Sequence, residues 1–211
     1  MKAYRAAILR FDPQGQAQFD KDGLLVVGSD GSATERVLAV GSYDGLIDQY
    51  AQVPLEHLPG RIIAPGFVDL HVHFPQIDVI GSPASGLLPW LENYTFPQEA
   101  RFSEAAHCAD AARFFVTELV RNGVTTALTF ATSHPVSVEA FFSEAARRRM
   151  RMICGKVLQD RNSPDGVRDD TEQSLIDTEA LIGRWHGKGR LGYAITPRFA
   201  TSCSEAQLRG A

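Results

Sequence analysis

The rhythm of apolar and polar positions changes once along this chain, near residue 63. Before that point the apolar stretches are short and read as strands: Ala3-Tyr4-Arg5-Ala6-Ala7-Ile8-Leu9, Gly23-Leu24-Leu25-Val26-Val27 and Arg36-Val37-Leu38-Ala39-Val40. The last two flank Gly28-Ser29-Asp30-Gly31-Ser32, a cluster of turn formers that predicts a hairpin. No helix-period pattern of useful length occurs in residues 1–63, so the segment reads as a small β-sandwich lobe.

Beyond it, strands and helices alternate. The run from Ile62 to His71 is apolar, as expected of a strand buried on both faces. A Pro/Gly-rich stretch follows, through Pro97. A helix opening near Ser103 repeats Cys108, Ala112, Phe115, Val116, Leu119 and Val120 at helical spacing. It closes at Asn122-Gly123, where glycine suits the residue after the helix end. Strands are then predicted at Val124–Phe130, Met150–Leu158 and Arg190–Pro197, with helices at Val136–Arg149 and Thr171 to about His186. Ser204-Glu205-Ala206-Gln207-Leu208 opens a further helix.

Repeated βα units predict a parallel sheet, either a (β/α)8 barrel or an open doubly wound sheet. No G-x-G-x-x-G or Walker A sequence follows any strand, which weakens the nucleotide-binding options. A closed barrel takes roughly 250 residues, and about four of its eight units fit here. The resulting expectation is an α/β protein. A β-rich lobe over residues 1–63 precedes the first half of an incomplete (β/α)8 TIM-like barrel over residues 64–211, in the N-terminal portion of a longer protein.

Charge and cysteine usage narrow the classes of partner. A net charge of −4 with scattered Lys and Arg gives no electrostatic footprint for nucleic acid or an anionic membrane. The one tight cluster, Arg147-Arg148-Arg149, sits where a helix end would favour cations and reads as solvated. Met1-Lys2-Ala3-Tyr4-Arg5 lacks the apolar run of a secretory leader, and no stretch approaches membrane-spanning length. Cys108, Cys154 and Cys203 form no CxxC pattern and read as reduced, buried thiols of a cytoplasmic protein. A homodimer is left open.

Candidate chemistry centres on His71-Val72-His73. Side chains alternate along a strand, so the two histidines share a face while Val72 points away. At the C-terminal end of a barrel strand that face looks into the active-site mouth, where two neutral imidazoles can hold one divalent ion. An H-x-H alone describes two ordinary histidines equally well. Here it ends the string Pro65-Gly66-Phe67-Val68-Asp69-Leu70-His71-Val72-His73, which resembles the first-strand signature of the amidohydrolase superfamily; the preceding β-rich segment resembles that superfamily's small lobe. Asp69 is expected to make a structural hydrogen bond one layer deeper.

Phe74-Pro75-Gln76, the segment from Leu87 through Trp90-Leu91-Glu92-Asn93-Tyr94-Thr95-Phe96-Pro97, the run from Gly155 to Asp165, and the run from Ile195 to Ser204 resemble the guanine deaminase family. The resemblance runs through nearly the whole chain, though the first sixty or so residues match only in general character. It implies one zinc ion held in part by His71 and His73, guanine as the small-molecule substrate, and hydrolytic deamination to xanthine and ammonia. It implies purine-binding roles for Gln76, Arg198 and Phe199. A guanidinium fork suits the O6/N7 edge, an aromatic ring can wall the purine face, and an amide can read another edge. Their plain alternatives are a surface ion pair for Arg198 and a core position for Phe199.

The resemblance also implies a third histidine, a catalytic glutamate and an aspartate ligand on later strands. No catalytic residue is therefore assigned within these residues, and the chain by itself is expected to be inactive. Trp90 is expected to pack, while Tyr94 and Phe96 are divided between packing and a lid. In relatives with two metals the carboxylated lysine belongs to the fourth strand; here that strand ends in Thr196-Pro197-Arg198, so a single metal is favoured and Lys156 reads as a supporting or ion-paired residue. His57, His107, His134 and His186 fall in predicted loops or helices and receive no ligand role. The alternatives are another amidohydrolase, such as a triazine chlorohydrolase or an S-adenosylhomocysteine deaminase-like enzyme, and a non-catalytic metal-binding fragment.

Overall fold

Strand β1 (Lys2–Phe11) runs antiparallel to β2 (Ala17–Ser29), which pairs antiparallel with β3 (Glu35–Ser42). Between β3 and β4 (Leu55–Ile63) lies helix α1 (Tyr43–Tyr50), and β4 pairs with β1 in parallel. The computed structural model describes residues 1–29, 31 and 34–211, in two compact units, Met1–Pro65 and Gly66–Ala211. Asp30 and Ser32 of the predicted hairpin turn lie outside the described residues.

The expected sandwich is corrected here: the described residues of the first unit form one four-stranded sheet, β3-β2-β1-β4. Tyr43, Leu46 and Tyr50 of α1 pack with buried Ala3, Leu24 and Val26, so a helix covers apolar positions that the sandwich reading gave to a second sheet. His57 lies on β4, a strand and not a loop or helix.

In the second unit, β5 (Phe67–His73), β6 (Val124–Phe130), β7 (Arg151–Gly155) and β9 (Gly192–Tyr193) form a parallel sheet in the order β5-β6-β7-β9. The order follows the chain without reversal, unlike a doubly wound sheet, whose strand order reverses at a switch point. Three helices connect the strands: α4 (Ala105–Arg121), α5 (Pro135–Arg147) and α6 (Thr171–Trp185), with α4 against α5 and α5 against α6. Their apolar faces close a core on Phe74, Phe102, Phe115, Phe141 and Phe142, with Ala127 and Met152 from the strands. Gly123 takes φ +77° after α4, the left-handed turn that lets the chain enter β6.

Three predicted strands differ. The apolar run from Ile62 to His71 divides between two sheets, because Ala64-Pro65-Gly66 interrupts it. It is also not buried on both faces: Phe67, Val68 and Leu70 are exposed on β5, which among the described residues pairs with β6 alone. The third predicted strand breaks at Lys156 into β7 and the short β8 (Val157–Leu158), and the fourth breaks into β9 and β10 (Thr196–Pro197), which pairs with β8. At the break a side chain on Gly155 would meet the Ala194 carbonyl oxygen at 1.8 Å, so the two strands approach more closely than any other residue allows.

The long connection after β5 is compact. It contains a 3-10 turn (Phe74–Val79), helix α2 (Leu87–Trp90), a π-type turn (Leu91–Thr95) and helix α3 (Phe96–Ala100). The chain closes on α7 (Glu205–Gly210), capped by the Ser204 hydroxyl, which accepts from Gln207 N at 3.1 Å. All three cysteines are free and buried. Arg148 of the arginine cluster is partly buried, donating to Glu144 and to Thr117 Oγ1, so that helix end is less solvated than expected.

Candidate metal and ligand site at the strand ends

His71 and His73 close β5, where His73 pairs with Phe130 at the end of β6. Their ring centroids lie 5.1 Å apart, and both rings rest on Phe130, at 5.0 Å and 4.5 Å. The strand alternation thus survives a register shift between Asp69 and Val72. Asp69 Oδ1 accepts from the His71 amide at 3.0 Å, the structural bond expected of it.

Burial, followed by the nearby Arg198 and His71 charges, lowers the His73 pKa from the ordinary 6.5 to about 4. The ring is therefore neutral near pH 7, the state a metal ligand requires. Two imidazoles fit a zinc ion in part, since such a site normally takes three protein ligands with one open position. Among the described residues no cluster of three or more His, Cys, Asp and Glu residues could hold an ion.

Gln76, on the 3-10 turn after β5, brings its Nε2 within 3.2 Å of His73 Nδ1 and donates to Glu99 Oε1 at 3.1 Å. The other Glu99 oxygen accepts from Arg198 Nη1. A polar chain, His73–Gln76–Glu99–Arg198, thus joins the end of β5 to the end of β10. Glu99 has no exposed side-chain surface and Arg198 only 3%. The surface-pair alternative for Arg198 is thereby replaced by a buried pair. Arg198 Nε is buried without a partner.

Beside this chain lies a cavity of about 250 Å³, lined by Phe96, Gln159, Arg198 and Phe199 among others. The Arg198 guanidinium sits 5.4 Å from the Phe96 ring centroid and 5.9 Å from that of Phe199. Phe199 is 44% exposed and so is not a core residue. Together these features give an aromatic-walled recess, one of whose lining residues keeps a buried donor without a partner.

The amidohydrolase family profile matches residues 62–211. The chain belongs to the amidohydrolase family. Over 149 residues it is 49% identical to the guanine deaminase of Escherichia coli strain K12, a stretch covering 71% of this chain and 34% of that protein. The solved E. coli guanine deaminase superposes with a TM-score of 0.92 at 39% identity, covering all of this chain and 50% of that one. A guanine deaminase from C. acetobutylicum, solved with guanine in its active site, gives 0.88 at 32% identity, covering 99% and 49%. The chain therefore spans about half the length of these solved relatives.

Within this amidohydrolase chain the structure brings His71, His73 and Gln76 together and joins Arg198 to them through Glu99. Phe199 lines the recess, as does Phe96, one of the two aromatic residues left open between packing and a lid. Trp90 and Tyr94 are half-buried and do not line it. Lys156 forms a buried ion pair with Asp169 at 2.6 Å. Sequence reasoning missed Glu99 and Gln159. A lone glutamate in a loop reads as solvated, and Gln159 carries no local signal; its Nε2 donates to Val167 O at 2.8 Å, leaving Oε1 buried without a partner.

Proposed function

We propose that the protein to which this chain belongs hydrolyses guanine to xanthine and ammonia using one zinc ion. In this reading His71 and His73 supply two of the metal ligands, and Gln76, Arg198 and Phe199 form one wall of the purine site. The observation that carries it is the convergence of the two histidine rings at a strand end already wired to Arg198, next to a recess walled by aromatic rings. Likeness to guanine deaminases, one of them solved with guanine bound, supports the substrate. Family members generally use a metal. Bound zinc would make a hydroxide-like water available near neutral pH.

The chain's own residues bind and orient. Arg198 offers a donor to a ring acceptor, Phe199 flanks the purine face, and Gln76 holds the His73 ring edge. The third histidine, the proton-shuttling glutamate and the aspartate ligand are sought outside these residues. The chain-order sheet supports reading residues 64–211 as half of a (β/α)8 barrel, preceded in the sequence by a separate lobe over residues 1–63. Free, buried cysteines favour a reducing, cytoplasmic setting, and the guanine-bound relative favours a small-molecule partner.

The test uses the full-length protein. Metal analysis should find about one zinc per chain, and guanine should yield xanthine, with both lost in a His71→Ala/His73→Ala double variant. Full zinc occupancy in that variant, or no xanthine from the zinc-loaded wild type, rejects the reading.

A further inference from the structure

Glu99 is fully buried in a loop helix, and its oxygens engage Arg198, which lines the recess, and Gln76, which holds His73. Oε2 neutralises the Arg198 guanidinium, and Oε1 holds the Gln76 amide. Building on the guanine reading above, we propose that Glu99 is a positioning residue that sets the charge of the pocket. It cancels the Arg198 charge and fixes the Arg198 and Gln76 side chains in place, so that the recess takes a flat, neutral heterocycle and rejects anions of the same shape.

The argument begins with charge. An uncompensated arginine is the residue of choice for carboxylates and phosphates, which it grips with paired donors. Here one prong is committed to Glu99, and the pair as a whole is neutral. The other charged residue lining the recess, Glu92, is a carboxylate and adds repulsion toward anions.

What remains is hydrogen bonding. Arg198 Nε is a buried donor without a partner, and Gln159 Oε1 is a buried acceptor without a partner. Both residues line the recess between Phe96 and Phe199. Buried polar groups are normally paired, so one free donor and one free acceptor suit a ligand edge that carries an acceptor and an N–H. A neutral purine presents such an edge, whereas a purine anion would bring its charge against Glu99 and Glu92, with Arg198, already paired, the cation among the lining residues.

The test compares full-length wild type, Glu99→Gln and Glu99→Asp, each confirmed as folded by thermal melt. Guanine turnover is measured alongside inhibition by hypoxanthine, a neutral purine, and urate, which is anionic at neutral pH. Wild type should bind hypoxanthine more tightly than urate. Glu99→Gln frees the arginine charge. The guanine KM should rise about tenfold with a smaller change in kcat, while urate inhibition tightens by about tenfold, the scale of a charge-assisted contact. A merely structural role would weaken every ligand and tighten none.

A guanine KM within about twofold of wild type, or urate inhibition that is unchanged or weaker in folded Glu99→Gln, overturns the proposal. If that variant does not fold, Glu99→Asp decides. It keeps the charge and shortens the reach, so the KM should rise while urate inhibition stays put; an unchanged KM overturns it. Urate binding wild type as tightly as hypoxanthine also overturns it. Should wild type form no xanthine, the guanine reading fails separately, and calorimetric binding of the two purines still judges Glu99; binding of neither rejects both.

Discussion

Two buried ion pairs occupy the ends of successive strands, and they are not alike. Lys156 and Asp169 are 1% and 7% exposed, 2.6 Å apart, and neither is among the described residues that leave a buried side-chain atom without a partner. Asp169 Oδ2 accepts from Gln159 N at 3.2 Å and from Gln207 Nε2 at 3.4 Å, while Lys156 Nζ also approaches Val157 O at 3.5 Å. Arg198 and Glu99 are equally buried, but Arg198, which lines a cavity, keeps Nε unpartnered. The first pair ties β7, β8 and the approach to α6 to α7. The second leaves a hydrogen bond for something else to complete. Burial of charge therefore does not by itself mark a site; burial with an unspent donor on a residue that lines a cavity does.

The sharpest way to break this contrast is Lys156→Met. Removing one member of a closed buried pair leaves Asp169 uncompensated and should cost about 3–5 kcal/mol of unfolding free energy in urea denaturation. Turnover per folded molecule should suffer less than in any recess variant. Next comes Arg198→Lys. Lysine can still reach Glu99, so the stability loss should be well below that of Lys156→Met. It has no second prong for the ligand, and kcat/KM for guanine should fall by about tenfold to a hundredfold. Equal stability losses in the two variants would erase the distinction between the pairs. Unchanged kcat/KM would make Arg198 a structural residue.

The smallest effect is electrostatic and reads both pairs at once. His134 Nε2 donates to Gly166 O at 3.1 Å, and burial lowers its pKa from the ordinary 6.5; Lys156 lowers it further, while Asp169 and Glu99 raise it. Because the unfolded chain takes up this proton more readily, stability falls as pH drops below 6.5 toward the folded value. An NMR titration of His134 should move upward in Lys156→Met and downward in Glu99→Gln. Shifts in the same direction would mean that the two pairs do not act on this histidine as independent charges.

Local pattern carried far in the second unit. β6 lies where its β-branched run predicts, α4 and α5 agree with their apolar spacing to within two residues, and Gly123 takes the left-handed turn expected after a helix. It failed where distant packing decides. Helix α1 spans only eight residues with a glycine inside, too short a pattern to stand out, and it packs with Ala3, Leu24 and Val26 from other strands. The breaks near Lys156 and Ala194 come from the close approach of two strands at Gly155, which no single strand announces.

At the site the division has the same cause. His71 and His73 share a face because strand alternation is a property of neighbouring residues, so the sequence alone determined that geometry. The family likeness of Gln76, Arg198 and Phe199 was equally legible in short local runs. The tertiary structure alone decided that Glu99 meets Arg198, 99 positions away in the chain, and that the pair is dry while one donor stays free. Desolvation depends on what the rest of the chain places around a group, and no local pattern encodes it.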